Sequence, residues 1–245
     1  MEFINKSVAK TPVKAVLLDF DGTISTLRCG WESVMRGVML EHIGETPEAK
    51  REVDQYISDS TGIQTIHQMK WLAERIRISG REPLDPWDYK DEYNRRLMET
   101  IKGRIEEAKR GDREKYLVPG SLDFLERLIK HNVHIYVASG TDHKDVTAEA
   151  EALGVSEYFC KIAGAPHRSE GCSKEDVIAQ LIEEEGLKGS DFAVIGDGKV
   201  EIRLGHEAGA RTIGLATDEI NRLGVNAVKR DRLIAAGADV IAADF

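Results

Sequence analysis

This sequence has little that would tie it to a membrane, an oxidising compartment or a nucleic acid. No stretch of its 245 residues approaches the roughly 18 consecutive apolar residues of a membrane-crossing helix, so no span is expected. Cysteine is scarce. Cys29, Cys160 and Cys172 are odd in number and lack metal-finger spacing, which predicts reduced thiols in a cytoplasmic protein rather than a disulfide framework. The opening Met1-Glu-Phe-Ile-Asn-Lys6 has no basic and then apolar organisation, so a signal peptide is not expected. Positive charge is in deficit: 34 Lys and Arg face 43 Asp and Glu, and the net charge of −9 argues against binding a phosphate backbone. A small anionic ligand stays compatible with that charge if its site supplies a local positive field. Internal repeats and low-complexity segments are absent, and so is the Gly-x₄-Gly-Lys-Ser/Thr signature of a P-loop kinase.

The most informative stretch present is Ala15-Val-Leu-Leu-Asp-Phe-Asp-Gly-Thr23. Four apolar residues bounded by a glycine turn read as a buried parallel strand. It ends in Asp19 and Asp21, which share a side only if the strand continues through Phe20. Two neighbouring carboxylates repel, so the pair calls for a bound cation, a shared proton or solvent. Acids just past a strand's carboxyl end also stand where open α/β sheets bind ligands.

The chain is long enough to bury a full α/β core and to carry one small accessory domain. Strands are expected at Ala15–Leu18, Val133–Ala138, Tyr158–Ile162, Phe192–Ile195, Thr212–Leu215 and Asp239–Ala242. Helical patterns separate them at Leu122–His131, Asp142–Leu153, Lys174–Glu185 and about Val200–Glu207. Strands joined by single helices imply parallel crossovers and therefore a doubly wound parallel sheet. Residues 28–116 interrupt this alternation without a convincing strand. Helices are expected there at Trp31–His42, after the Thr46-Pro47 start signal, at Gln64–Ile78 and over Pro86–Lys109. Their apolar stripes, with Trp31, Trp71 and Trp87, read as packing for a small helical bundle.

Four segments in order resemble the motifs of the haloacid dehalogenase-like (HAD) superfamily of phosphohydrolases. Asp19-Phe-Asp-Gly-Thr23 is similar to the first, Val133-His-Ile-Tyr-Val-Ala-Ser-Gly140 to the second, Lys174 to the third, and Phe192-Ala-Val-Ile-Gly-Asp-Gly-Lys-Val-Glu201 to the fourth. The resemblance implies a Rossmann-like catalytic core over 13–27 and 117–245 and an all-α cap domain over 28–116. It also implies a Mg²⁺-dependent phosphomonoesterase acting on a small phosphorylated metabolite, a sugar phosphate or phospho-acid. Asp19 would then be the nucleophile that forms an aspartyl phosphate. Asp21 would protonate the leaving group and deprotonate the hydrolytic water, its backbone carbonyl also reaching the metal. Superfamily dehalogenases generally lack this second acid, so Asp21 favours phosphate chemistry.

In the same resemblance Ser139 and the Gly140 amide hold phosphate, Lys174 adds its ammonium, and Asp197 joins Asp19 and Asp21 on the metal. Each residue also has a plainer reading. Ser139 can simply cap the following helix. Lys174, in the first helical turn after Ser173, can be a surface lysine, although its spacing from Asp197 fits the family; Lys161 is the competing phosphate lysine. Glu201 either lies behind the metal ligands, through water or by orienting Lys174, or is a solvated glutamate near a helix start. For specificity, Arg28 is placed against a substrate anion, and Gln64 and Thr65 in the polar connection Ser60–Ile66 against substrate hydroxyls. Otherwise Thr65 caps the next helix and Gln64 faces water. A phosphomutase of the β-phosphoglucomutase type would need a cap base, for which His67 is the candidate. A phosphonate-cleaving relative would need a cap lysine, for which Lys70 is available. A catalytically silent binding module would not need the set Asp19, Asp21, Lys174 and Asp197 intact.

Overall fold

The computed structural model of the protein describes residues 1–8, 11–166, 168 and 174–245, without the side chains of Lys174 and Val177. The described chain separates into two compact units, Met1–Cys29 with Arg104–Phe245, and Gly30–Gly103.

The larger unit is built on β1 (Glu2–Phe3), β2 (Ala15–Leu18), β3 (His134–Asp142), β4 (Lys161–Ala165), β5 (Phe192–Gly196), β6 (Arg211–Leu215) and β7 (Val240–Ala242). They form one sheet in the order β1-β7-β6-β5-β2-β3-β4. All neighbours are parallel except β1 and β7. Strand β2 is fully buried, and its side chains alternate between two cores. Val16 and Leu18 pack with Leu125, Val146 and Ala150, while Ala15 and Leu17 pack with Ile178 and Leu181. Helices α5 (Ser121–Lys130) and α6 (His143–Ala152) therefore cover one face and α7 (Lys174–Glu184) the other. Helices α8 (Lys199–Glu207) and α9 (Ala227–Ala235) enclose a further cluster around Ile202 and Leu233. The doubly wound parallel sheet expected from the α/β alternation is thus present, with an antiparallel edge strand added.

Two details depart from expectation. The strand placed at Tyr158–Ile162 begins later, at Lys161, because Ser156–Tyr158 closes a 3₁₀ turn after α6. β4 is an edge strand, Lys-Ile-Ala-Gly-Ala, with an exposed lysine first and three half-buried residues after it, so no buried apolar run marked its position. Strand β3 runs beyond Ala138 to Asp142 with an irregular register against β4, where Ala138 pairs Ala163 but Asp142 pairs Ala165. That irregularity takes Ser139, Gly140 and Thr141 out of the regular ladder.

The smaller unit contains α1 (Trp31–Ile43), α2 (Pro47–Asp59), α3 (Thr65–Ile78) and most of α4 (Pro86–Glu107), with no strand among its described residues. Thr46 caps α2 as expected, its hydroxyl accepting from the Ala49 amide at 3.2 Å with Pro47 at the first helical position. Met35, Met39, Met69, Leu72, Tyr93 and Leu97 are buried, and Trp71 stacks on Tyr56 with ring centroids 3.9 Å apart. No described helix of either unit is long and apolar enough to cross a membrane.

Candidate active site

Chain order in the sheet reverses between β2 and β5: from β2 the chain builds outward to β3 and β4, then returns to the other side of β2. Such a switch point leaves a crevice at the carboxyl ends of the two strands. Leu18 pairs with Ile195, which puts Asp19 one residue and Asp197 two residues beyond the last paired position. The Asp19 amide still donates to the Ile195 carbonyl at 3.0 Å, so the nucleophile candidate is held by the β2–β5 ladder itself. Its Oδ1 accepts from the Phe20 amide at 2.8 Å, and only 7% of the residue is exposed.

Asp19, Asp197 and Glu201 each offer a carboxylate oxygen within 4.8 Å of the others. Glu201 is 1% exposed, which overturns its reading as a solvated glutamate. Its Oε1 accepts from the Gly198 amide at 2.6 Å, satisfying a helix-start donor that would otherwise be orphaned. The longer side chain has room to fold back only because Gly196 and Gly198 carry no Cβ. One added at either would lie 2.4 or 2.7 Å from Glu201 Oε1. Gly22 meets a similar demand with φ at +74°, and a Cβ there would stand 2.3 Å from Asp197 Oδ2. The Asp-Gly turn after β2 is thus shaped by the carboxylate it faces.

The Asp21 carboxylate is not one of those three ligand groups. Its Oδ2 accepts from the Thr141 hydroxyl at 2.8 Å, while Oδ1 is buried with no hydrogen-bond partner. Arg28 Nε is 3.7 Å from that oxygen. The sequence placed Arg28 against a substrate anion, but the structure gives it carboxylate partners instead. It forks onto Glu149 of α6 at 2.7 and 3.0 Å and comes within 3.9 Å of Asp145. Ser139 is buried, and its Oγ accepts from the Thr141 amide at 3.1 Å, a local turn that aims Thr141 at Asp21. Asp142, not Ser139, stands at the N-cap of α6. Gly140 lies beside Ser139 in the same irregular end of β3.

Burial pushes the Glu149 carboxyl up to about 7; Arg28 opposes the rise and Asp21 and Asp145 add to it. The folded chain therefore holds this proton more tightly than the unfolded one. Its contribution to stability is full below about 4.5 and is lost as pH rises through about 7. Relative to Glu149→Gln, which cannot titrate, the parent is expected to lose on the order of 3 kcal/mol of unfolding free energy across that window. Urea melts at stepped pH read the difference, and a flat difference contradicts the assignment.

Lys174 is the first residue of α7, as its spacing predicts, but its side chain and Ser173 lie outside the described residues. Lys161 opens β4, level with Tyr136 of β3 and through it with Leu17 of β2, and its ammonium pairs with Glu184. That ion pair occupies Lys161 on the edge strand, two strands away from β2 in the sheet order. In the smaller unit, Gln64 is buried at the N-cap position of α3, without a capping bond from its side chain, and Thr65 is the first helical residue. The alternative reading, a capping Thr65 and a solvated Gln64, does not hold. His67 and Lys70 also lie on α3. Cys29 is half-buried and Cys160 exposed, and Cys172 is outside the described residues.

Sequence reasoning missed Lys229, whose Nζ is 2.7 Å from Asp197 Oδ2 and also bonds Glu219. It also missed Thr141, Glu149 and Arg232, the last donating to the Asp197 carbonyl at 3.1 Å. A signal for Lys229 was present in Asn226-x-x-Lys229, a lysine in a helix's first turn, where the dipole disfavours cations.

Three carboxylates gathered at the switch point of a doubly wound sheet form a donor set of the kind that suits a hard cation. The profile of the haloacid dehalogenase-like hydrolases matches residues 13–209, and the chain belongs to that family, as an enzyme of its phosphatase class. A protein named phosphoglycolate phosphatase from Vibrio parahaemolyticus serotype O3:K6 is 22% identical over 210 residues, covering 83% of each chain. A crystal structure from Clostridium acetobutylicum, described as a predicted phosphatase, superposes with a TM-score of 0.66 at 17% identity, covering 96% of this chain and 95% of that one. A β-phosphoglucomutase structure from Clostridium difficile gives 0.66 at 16% identity, covering 95% and 91%.

Proposed function

We propose that the chain hydrolyses a small phosphomonoester, a sugar phosphate or phospho-acid, with bound Mg²⁺ and through an aspartyl phosphate on Asp19. The observation that carries this reading is the division of labour between the two motif acids. Asp19 is gathered with Asp197 and Glu201, while Asp21 turns to Thr141 and keeps one buried oxygen unbonded. An all-carboxylate donor set suits a hard divalent cation. Asp19, Asp197 and the Asp21 carbonyl would hold Mg²⁺, which when bound neutralises charge on the phosphoryl oxygens. Glu201, occupied with the Gly198 amide, would support that shell from behind.

Asp19 attacks phosphorus, forming its O–P bond as the ester P–O bond breaks, and Asp21 gives the leaving oxygen its proton. Asp21 then takes a proton from water as that water attacks phosphorus, which releases inorganic phosphate and restores the Asp19 carboxylate. Ser139, the Gly140 amide and Lys174 are assigned to the phosphate oxygens. Arg28, fixed by Glu149, is assigned to Asp21 rather than to the substrate.

A small phospho-acid is among the candidate substrates because the Vibrio parahaemolyticus relative is named for one. The likeness to a β-phosphoglucomutase structure carries the fold alone, so no observation favours the mutase. The net charge of −9 supports a small anionic substrate over a nucleic acid. Phosphate release from a panel of phosphorylated metabolites, with Mg²⁺ and with EDTA, tests the reading; turnover that EDTA leaves untouched overturns it.

The helical unit Gly30–Gly103 is assigned the role of a specificity cap. A site that binds only phosphate and metal cannot rank leaving groups. Gln64→Ala with Thr65→Ala is expected to reorder substrate preference while sparing a generic aryl phosphate. Each lost hydrogen bond to a neutral partner should cost about 0.5–1.5 kcal/mol of binding. An unchanged ranking, with Tm matched to the parent, moves specificity elsewhere.

A further inference from the structure

Lys229 is the third residue of α9, its amide bonded by the capping Asn226 side chain at 3.0 Å. A lysine here points against the helix dipole, and on an ordinary surface it would extend into water. Its side chain is instead only 14% exposed, lodged between Asp197 and Glu219, themselves largely buried. Arg232, three residues on, holds the Asp197 carbonyl, so α9 grips this one residue by both side chain and main chain. Burial pulls the ammonium down, but the two acids outweigh it and keep Lys229 firmly charged. The three carboxylates of Asp19, Asp197 and Glu201 repel one another unless a cation stands among or beside them.

We propose that Lys229 is a resident counter-cation of this carboxylate site: it holds Asp197 in place before metal arrives and competes with the divalent cation for Asp197 Oδ2. Glu219, the second acid on the ammonium, draws part of its charge away from Asp197 and so moderates that competition. Lys229 is thereby a positioning residue that sets how strongly the empty site calls for metal. This inference rests on the reading of Asp19 and Asp197 as metal ligands. Nothing in it requires Lys229 to touch substrate.

The test compares the parent, Lys229→Met and Glu219→Gln by calorimetric titration with Mg²⁺ and by thermal melts in EDTA and in saturating Mg²⁺. Methionine keeps an unbranched apolar stem and removes the charge. Lys229→Met is expected to bind Mg²⁺ about tenfold more tightly, since a repelling charge beside the cation is gone. It should melt below the parent in EDTA and recover most of the gap in Mg²⁺. Glu219→Gln, which leaves the ammonium on Asp197 alone, should bind Mg²⁺ several-fold more weakly. Parental or weaker Mg²⁺ affinity in Lys229→Met overturns the proposal, as does a Tm loss that is the same with and without Mg²⁺. If Lys229→Met folds in neither condition, Glu219→Gln decides, and unchanged or tighter Mg²⁺ binding there overturns it. A parent that takes up no Mg²⁺ is a separate result, which overturns the metal reading itself and this inference with it.

Discussion

Asp19→Asn is expected to abolish phosphate release while leaving the fold intact. The carboxylate is the only proposed group that bonds to phosphorus, and a neutral amide oxygen is a far weaker nucleophile. Loss of a covalent nucleophile should cost on the order of 10⁴-fold or more in kcat. The structure explains why the variant should still fold. Asparagine keeps the volume, its side-chain oxygen can accept the Phe20 amide as Asp19 Oδ1 does, and the main-chain bond to Ile195 is untouched. Removing one of three crowded carboxylates also relieves repulsion in the metal-free state. Phosphate assays on a substrate panel, alongside thermal melts, read both halves of this expectation. Undiminished hydrolysis by a folded Asp19→Asn protein would remove the mechanism.

Asp21→Asn should produce the second-largest effect, and one that depends on the leaving group. The Thr141 hydroxyl, which donates to Asp21 Oδ2 at 2.8 Å, can donate equally to an asparagine oxygen, so the side chain should stay in place. What disappears is a carboxyl group able to give and take a proton, which an amide cannot do. General acid–base assistance is typically worth about 10²–10⁴-fold. An alkyl phosphate, whose leaving oxygen needs a proton, should show that full loss. An aryl phosphate with a good leaving group should react with Asp19 almost normally and then stall, because hydrolysis of the aspartyl phosphate still needs a base. A pre-steady-state burst of the aryl alcohol followed by slow turnover is the expected trace. A missing burst with the aryl phosphate, or parental rates with the alkyl phosphate, contradicts the acid–base assignment of Asp21.

Much of the core was legible because its signals are local. Ala15–Leu18 is an apolar run short enough for a strand and bounded by acids and glycine, and it appears with those limits. Thr46-Pro47 announced α2 through a capping hydroxyl and a proline at the first helical position. The edge strands were harder to place. β4, with Ala163 and Gly164 half-buried, and the two-residue β1 have no run of buried side chains to mark them. α9 went unrecognised although Asn226 caps it, because its start follows a polar segment with no apolar periodicity to announce a helix.

At the site, sequence by itself determined which acids end β2 and β5, because strand ends and Asp-Gly turns are written in consecutive residues. It also determined the family, through the order and spacing of those short motifs. Only the tertiary structure decided the partners of each acid. Thr141 is 120 residues from Asp21, Arg28 is 121 from Glu149, and Lys229 is 32 from Asp197. No periodicity in the chain relates such positions. They meet because β2 sits between β3 and β5, and because α6 and α9 pack their buried faces so that Glu149 and Lys229 point back toward the strand ends. Burial then changes what those charges do. A glutamate readable as solvated becomes a buried helix cap beside Asp19 and Asp197, and a lysine set against its helix dipole is lodged against the Asp197 carboxylate.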